Sequence, residues 1–294
     1  MSIRDDTAEQ WSKHISCGSK INLRLKVTGR RPDGLHELSS CFLFLEHPGD
    51  ELTVTANSGG LTLECPGFPE LAGSGNLVWR AAELFAGKSG ISPNWHMRLV
   101  KRVPIAAGMG GGSADAGAVL SLLNGHYAAF STEELEKLAF SLGADVPFFI
   151  RRRSAWVTGA GEIFEYPENF PAIPEILIVN PGFPVSAKWA YTHMAKELIC
   201  PDDPEEKAAF YSGKANWRTF CCNDLAPALM KKFPLLEILQ EQLYAAGALT
   251  VQVTGSGPTL FALFASGAAA AAKEVRRSCR DTVGIKIFTG GKEF

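Results

Sequence analysis

Residues 20–27, KINLRLKV, alternate strictly, with Ile21, Leu23, Leu25 and Val27 apolar and Lys20, Asn22, Arg24 and Lys26 polar. That period of two predicts a half-buried strand and puts Lys20 and Asn22 on one polar face. The turn chemistry of TGRRPDG follows, and then an apolar run, CFLFL at 41–45. ELTVT (51–55) and LTLEC (61–65) read as further strands, so the chain opens β-rich and is expected to be antiparallel. NLVWRAAELFA (76–86) changes to helical spacing with Asn76 as its cap, and WHMRLVKRVP (95–104) returns to a strand ending at Pro104.

A strand end then runs through IAAGMGGGSADAGAVLSLLN into a small-residue helix from about Ser113, followed by a helix over about 133–142. Ser131 or Thr132 ahead of Glu134 gives that second helix a capping box. After Asp145-Val146-Pro147, FFI and SAWVTG read as strands, and the proline-rich YPENFPAIP (166–174) marks a domain boundary. Beyond it, EILIVN, TVQVT, LFALF and IKIFT are expected strands. VSAKWAYTHMAKEL and the stretches near 223–231, 234–246 and 268–279 are expected helices, and 201–219 is polar and irregular. Without strict βαβ alternation, the fold class is α+β, with domains at 1–168 and 169–294.

Composition narrows the function. The 294 residues are 46% hydrophobic and 20% charged, an ordinary globular balance, and the formal net charge of −2 lacks the basic excess of a nucleic-acid binder. No apolar run approaches the ~20 residues that span a bilayer, and the N-terminus is polar without a signal-peptide core. The expectation is a cytoplasmic protein with a small-molecule partner, no nucleic acid and no membrane. Seven scattered cysteines without a CxxC pair argue against a disulfide framework or zinc site. The adjacent Cys221 and Cys222 are either reactive or, as is commoner, buried structural thiols.

The strongest chemical signal is GMGGGSADAG. Four of the five residues at 108–112 are glycine, so the main chain can take positive φ and approach a ligand closely. A helix start at Ser113 adds free N–H groups and a positive dipole end, which favour a phosphate. The loop lacks the Gly-Lys-Ser/Thr of a Walker A sequence. Asp145 in GADVP is an ordinary turn residue alone, and Lys20 an ordinary solvated strand lysine. Together with the loop they supply the base and cation that phosphoryl transfer to an alcohol asks for. GSGP (255–258) is a second glycine turn, either a ligand cover or a plain hairpin, and His36 could read a polar ligand edge.

With those residues in place, the chain resembles the GHMP kinases over nearly its whole length. SKINLRLKVTGRRPDGLHEL (19–38), PIAAGMGGGSADAGAVLSLLN (104–124) and LGADVPFFI (142–150) carry the resemblance. NLVWRAAELF, NPGFPVSAKWAY and VTGSGPTLFALF support it. It implies a two-domain fold with the active site in the inter-domain cleft. The implied reaction is ATP-dependent phosphorylation of the 2-hydroxyl of a cytidine diphosphate-linked polyol, in non-mevalonate isoprenoid biosynthesis. By motif match it implies that Asp145 is the base and Lys20 its cationic partner. Pro104, Ile105, Ala106, Ala107, Gly108, Met109, Gly110, Gly111, Gly112, Ser113 and Ala114 match the ATP phosphate loop. Asn76 and Leu77 match positions near the adenine. Asn22, Leu35, His36 and Tyr191 match the substrate side, with Gly255, Ser256 and Gly257 beside the phosphates. Magnesium is implied with ATP, and Ser113 is its candidate ligand. The chain departs from the family at Leu35, where a tyrosine usually precedes the histidine. A monomer or homodimer, another acceptor such as homoserine, a sugar or mevalonate, and a catalytically silent nucleotide-binding protein all stay open at this point.

Overall fold

The computed structural model describes residues 11–279 and 284–293; the first ten residues of the polar N-terminus lie outside the described residues. Strand β1 (Ser12–Ser16) is followed by β2 (Ser19–Arg30), β3 (His36–Leu45), β4 (Glu51–Ala56) and β5 (Thr62–Glu64). Helix α1 (Leu77–Ser89), strand β6 (Trp95–Val100) and helices α2 (Gly111–Tyr127), α3 (Thr132–Leu142) and α4 (Val146–Arg151) come next. Strands β7 (Ala155–Gly159), β8 (Ile163–Glu165) and β9 (Glu175–Asn180) precede α5 (Ala187–His193), α6 (Pro204–Tyr211) and α7 (Trp217–Phe220). Helices α8 (Ala226–Lys232) and α9 (Pro234–Ala245) lead to β10 (Thr250–Val253) and β11 (Leu260–Phe264). Helix α10 (Ala268–Ser278) and strands β12 (Lys286–Thr289) and β13 (Lys292–Glu293) complete the chain.

Packing divides the chain into two interleaved units. The first comprises the segment up to Gly18, Gly49–Arg102 and Gly111–Arg152; the second comprises Ser19–Pro48, Val103–Gly110 and the segment from Arg153 onward. The first holds a four-stranded sheet in the order β1-β4-β6-β5 with α1 to α4. The second holds a four-stranded sheet, β2-β3-β7-β8, and a five-stranded sheet, β10-β11-β9-β12-β13, with α5 to α10. Nearly all pairing is antiparallel, as expected, but β5 joins β6 in parallel because α1 carries the chain across between them.

Local rules explain most elements. Asn76 Oδ1 takes the Val78 N–H at 2.9 Å to start α1, and Gly90, at φ +74°, ends it in the left-handed conformation that glycine adopts freely. α1 buries Val78, Ala81, Ala82, Phe85 and Ala86, the one-face spacing of an amphipathic helix. The capping box at α3 forms between Ser131 and Glu134.

Two expectations fail. FFI is not a strand but the body of α4, where Pro147 presets the first-turn φ and Phe148 and Phe149 are buried. An apolar run this short carries no readable period. The stretch 201–219 is not irregular: Asp203 and Asn216 cap α6 and α7, which bury Phe210 and Phe220. Strand β6 also stops at Val100, earlier than expected, and α5 ends at His193.

Helix α2 is buried along most of its length, and Gly117 lets α4 come close. A Cβ there would stand 2.7 Å from Phe149 Cβ. Gly125, in the same helix, faces open space. Gly→Ala in a helix gains up to about 1 kcal/mol from propensity, whereas overpacking a close contact costs about 1–3 kcal/mol. Gly125→Ala should therefore stabilise the protein slightly and Gly117→Ala destabilise it. Urea midpoints moving in the same direction for both variants would contradict this packing.

Candidate active site

The chain leaves β6 through a loop in which Ala106, Gly108 and Gly110 take φ of +52°, +76° and +71°, and it enters α2 at Gly111, two residues before the expected start. Gly108 packs main chain against main chain. A Cβ on it would lie 2.3 Å from the Thr254 carbonyl oxygen and 3.0 Å from the Gly257 nitrogen. The contact is reciprocal, since a Cβ on Gly255 would meet the Gly108 oxygen at 2.7 Å. The GSG turn is thus more than a hairpin connection between β10 and β11. It is the second wall of the glycine loop, and Asn223 braces it by donating its amide to the Val253 and Gly255 carbonyls at 2.7 and 2.8 Å.

Strand β2 runs beside both turns. The Lys20 N–H donates to the Met109 carbonyl at 2.9 Å, and the Asn22 N–H to Thr254 Oγ1 at 2.9 Å. Lys20 is not a solvated strand lysine. It is 5% exposed, its ammonium donates to Asn22 Oδ1 at 2.6 Å, and it lies 4.3 Å above the centre of the Phe42 ring. The Asn22 amide donates in turn to Ser40 Oγ at 2.9 Å, which fixes its oxygen toward the lysine. A buried ammonium needs such partners, because desolvation alone favours the neutral amine.

Lys20, Asn22, the loop to Gly110 and Gly255–Gly257 therefore form one constellation within the second unit. Pro104, Ile105 and Ala107 belong to the same loop, and Ile105 is exposed. The first unit carries the rest. Asn76 spends both ends of its amide on its own turn, donating to the Leu71 carbonyl at 2.8 Å. Leu77 Cδ1 lies 3.7 Å from where a Gly112 Cβ would be. Ser113, half-buried, is in the first turn of α2, with Ala114 buried behind it. Asp145 precedes α4, half-buried, and its carboxylate makes no capping bond to that helix.

A second constellation in the second unit lines a cavity of about 740 Å³ with Leu35, His36, Leu38, Tyr191, Met194 and other residues. The His36 and Tyr191 rings stack at 5.2 Å, and Leu35 is 54% exposed at its rim. Burial, with Arg30 nearby, holds the His36 imidazolium below its usual pKa, so the ring is neutral at physiological pH.

Two charged clusters escaped the sequence reading. Arg24, 1% exposed, binds Asp202 at 2.8 Å and Glu206, and donates to the Phe220 carbonyl at 3.1 Å, tying α6 and α7 to β2. Its place in the polar alternation of KINLR was the available signal. In the first unit, the half-buried Lys101 binds Asp50 and, at 2.6 Å, Asp115 of α2, both carboxylates buried. Asp115 stands in the quoted GGGSADAG, but nothing in that string marks it as paired. Cys221 and Cys222 are the structural case: burial raises both thiols, Cys222 to about 11, so neither is a thiolate at neutral pH.

The profile described as GHMP kinases N terminal domain matches residues 76–153, and that described as GHMP kinases C terminal matches 213–281. A 4-diphosphocytidyl-2-C-methyl-D-erythritol kinase of Geobacter metallireducens is 35% identical, covering 86% of this chain and 89% of its own. One of Geobacter sulfurreducens is 36% identical over 90% of this chain and 94% of its own. A solved 4-(cytidine 5'-diphospho)-2C-methyl-D-erythritol kinase superposes with a TM-score of 0.79 at 31% identity, over 94% of this chain and 98% of that one.

Gly108→Ala adds a methyl where only 2.3 Å is available to Thr254 O, at a φ that L side chains rarely adopt. Nucleotide binding should weaken at least tenfold in a protein that still folds; unchanged affinity by calorimetry would exclude a role for this contact. Burial raises Asp115 to about 7, with Lys101 opposing and Asp50 adding to the rise. A folded pKa above the unfolded ~3.9 means that this group's stabilising effect is full below about pH 4 and is lost as pH climbs through about 7. Asp115→Asn should accordingly gain thermal stability relative to the native protein between pH 4 and pH 8. A gap independent of pH would mean that Asp115 does not titrate there.

Proposed function

The chain belongs to the GHMP kinase family, and from that premise we propose that it phosphorylates the 2-hydroxyl of 4-diphosphocytidyl-2-C-methyl-D-erythritol with ATP, giving ADP and the 2-phosphate. This is a step of non-mevalonate isoprenoid precursor synthesis. The observation that carries the reading is the main-chain contact between the glycine loop and the GSG turn, with the buried Lys20 ammonium on the adjoining strand. It offers backbone N–H groups at close approach and one fixed cation, which is what a polyphosphate requires.

Each residue then has a task. Pro104–Ala114 and Gly255–Gly257 hold the phosphates, Asn76 and Leu77 flank the adenine, and Asn22 and Tyr191 position the acceptor. His36, neutral and ring-stacked, offers the hydrogen bonds that read a cytosine edge. Leu35 gives that base an apolar contact in place of the family's aromatic face. The acceptor oxygen forms its bond to the γ-phosphorus as the bond from that phosphorus to the β-bridging oxygen breaks. The hydroxyl proton passes to the Asp145 carboxylate. Phosphoryl transfer gains most from alignment and charge stabilisation, and an alcohol becomes acidic only as it bonds to phosphorus, so the base acts late. Lys20 offsets developing charge on the acceptor oxygen.

Magnesium bound with a nucleotide takes most of its oxygens from phosphate and water. Among the described residues there is no cluster of three or more histidine, cysteine, aspartate or glutamate side chains suited to a metal. The half-buried Ser113 hydroxyl, in the first turn of α2, is a single oxygen donor of the kind such an ion adds to its shell. Bound there, the ion would neutralise phosphate charge.

Turnover with ATP and the cytidyl substrate is the direct test. Asp145→Asn should lower that turnover by about 10²–10⁴-fold, the usual worth of a general base, with ATP affinity retained. Near-native turnover in the folded variant would remove Asp145 from the role, and no turnover in the native protein would remove the reaction.

A further inference from the structure

The cavity that holds His36 and Tyr191 has two walls, and each carries a cation beside its ring. On the hairpin wall, Arg30 of β2 is paired directly with His36 of β3, so the two side chains leave the sheet on the same face. On the helix wall, Lys188, Tyr191 and Thr192 stand one turn apart along α5, the spacing that aligns side chains on one helix face. Arg30 and Lys188 both line the cavity, and among the described residues no carboxylate does.

Their lack of counter-charge sets them apart from their neighbours. Arg31 is held by Glu162 at 2.7 Å and Asp33 at 3.3 Å, and Arg24 by Asp202 and Glu206. Among the described residues no carboxylate lies within ion-pair distance of Arg30 or Lys188. The remaining walls are apolar, from Leu35, Leu38, Met194, Ile199 and Ala160. A cavity with a stacked aromatic floor, apolar sides and two open cations suits a ligand that is planar at one end and multiply anionic beside it.

We infer that Arg30 and Lys188 form a two-sided cationic clamp for the diphosphate of a nucleoside diphosphate-linked substrate whose base lies against His36 and Tyr191. The clamp deepens the function proposed above and rests on it. It gives the hairpin and α5 a joint role: each supplies half of the base contact and half of the charge. It also assigns selection of a diphosphate over a monophosphate or free nucleoside to Lys188 of α5 and to Arg30 at the end of β2.

Calorimetry with CDP, CMP and cytidine on the full chain tests the clamp. The native protein should bind CDP tightest and cytidine weakest. Arg30→Gln and Lys188→Gln should each weaken CDP about three- to tenfold, leave cytidine within about twofold, and flatten the salt dependence of CDP binding. Lys188→Arg should keep the native preference. Both positions are exposed, so thermal unfolding of the variants should match the native protein. A double variant that keeps the native CDP-to-cytidine ratio overturns the clamp while leaving the kinase reading intact. A native protein that binds no cytidine compound overturns the reading and the clamp with it.

Discussion

Two glycine turns, distant in sequence, meet main chain to main chain, and most of the second unit's site is arranged around that contact. At Gly108 and Gly255 there is no room for a side chain, because each would drive a Cβ into the other segment's backbone. Gly108 and Gly110 remain half-buried in the loop, whereas Gly255 and Gly257 of the turn are buried. The turns are then tied to β2 by Lys20 N–H to Met109 and Asn22 N–H to Thr254, and Asn223 secures the GSG side. Strand, loop and turn consequently form one hydrogen-bonded body, and the Lys20 ammonium is placed by the same bonds that place the loop.

Strand β2 shows how one polar face can be buried when its charges find partners. Lys20 is compensated by an amide and a ring face, Asn22 by Lys20, Thr254 and Ser40, and Arg24 by two carboxylates and a carbonyl. The first two lie beside the glycine turns, and the third ties α6 and α7 to the strand. Truncating one partner of such a set leaves the other buried and unpaired, which costs more than the pair itself contributes. Lys101, between Asp50 and Asp115, repeats the arrangement beneath α2 with one carboxylate in excess.

How much of this was legible depends on the range of the interaction. Asn76 and the α3 capping box are local signals, and both formed where the sequence put them, whereas the helix after the glycine run starts at Gly111, two residues before Ser113. The alternation of β2 gave the strand correctly but not its surroundings: period two says which residues share a face, not what covers that face, and Lys20 and Arg24 turned out buried. FFI failed because a three-residue apolar run fits either element and Pro147 suits a helix start. The 201–219 segment failed because its helices depend on burying Phe210 and Phe220 rather than on periodicity. The partners of Arg24 and Asp115 were invisible because they lie 178 and 14 residues away and answer to tertiary packing alone. The site residues stood out through resemblance to a family; physical reading by itself gave a phosphate loop and a possible base.

The central claim is that both glycine turns meet phosphate through their main chain, and glycine-selective nitrogen-15 labelling tests it most directly. On titration with ADP, the amide resonances of Gly108, Gly110, Gly111 and Gly112 and those of Gly255 and Gly257 should shift together, and adenosine should leave them in place. Saturable ADP binding that moves other glycines while both turns stay still would contradict the account.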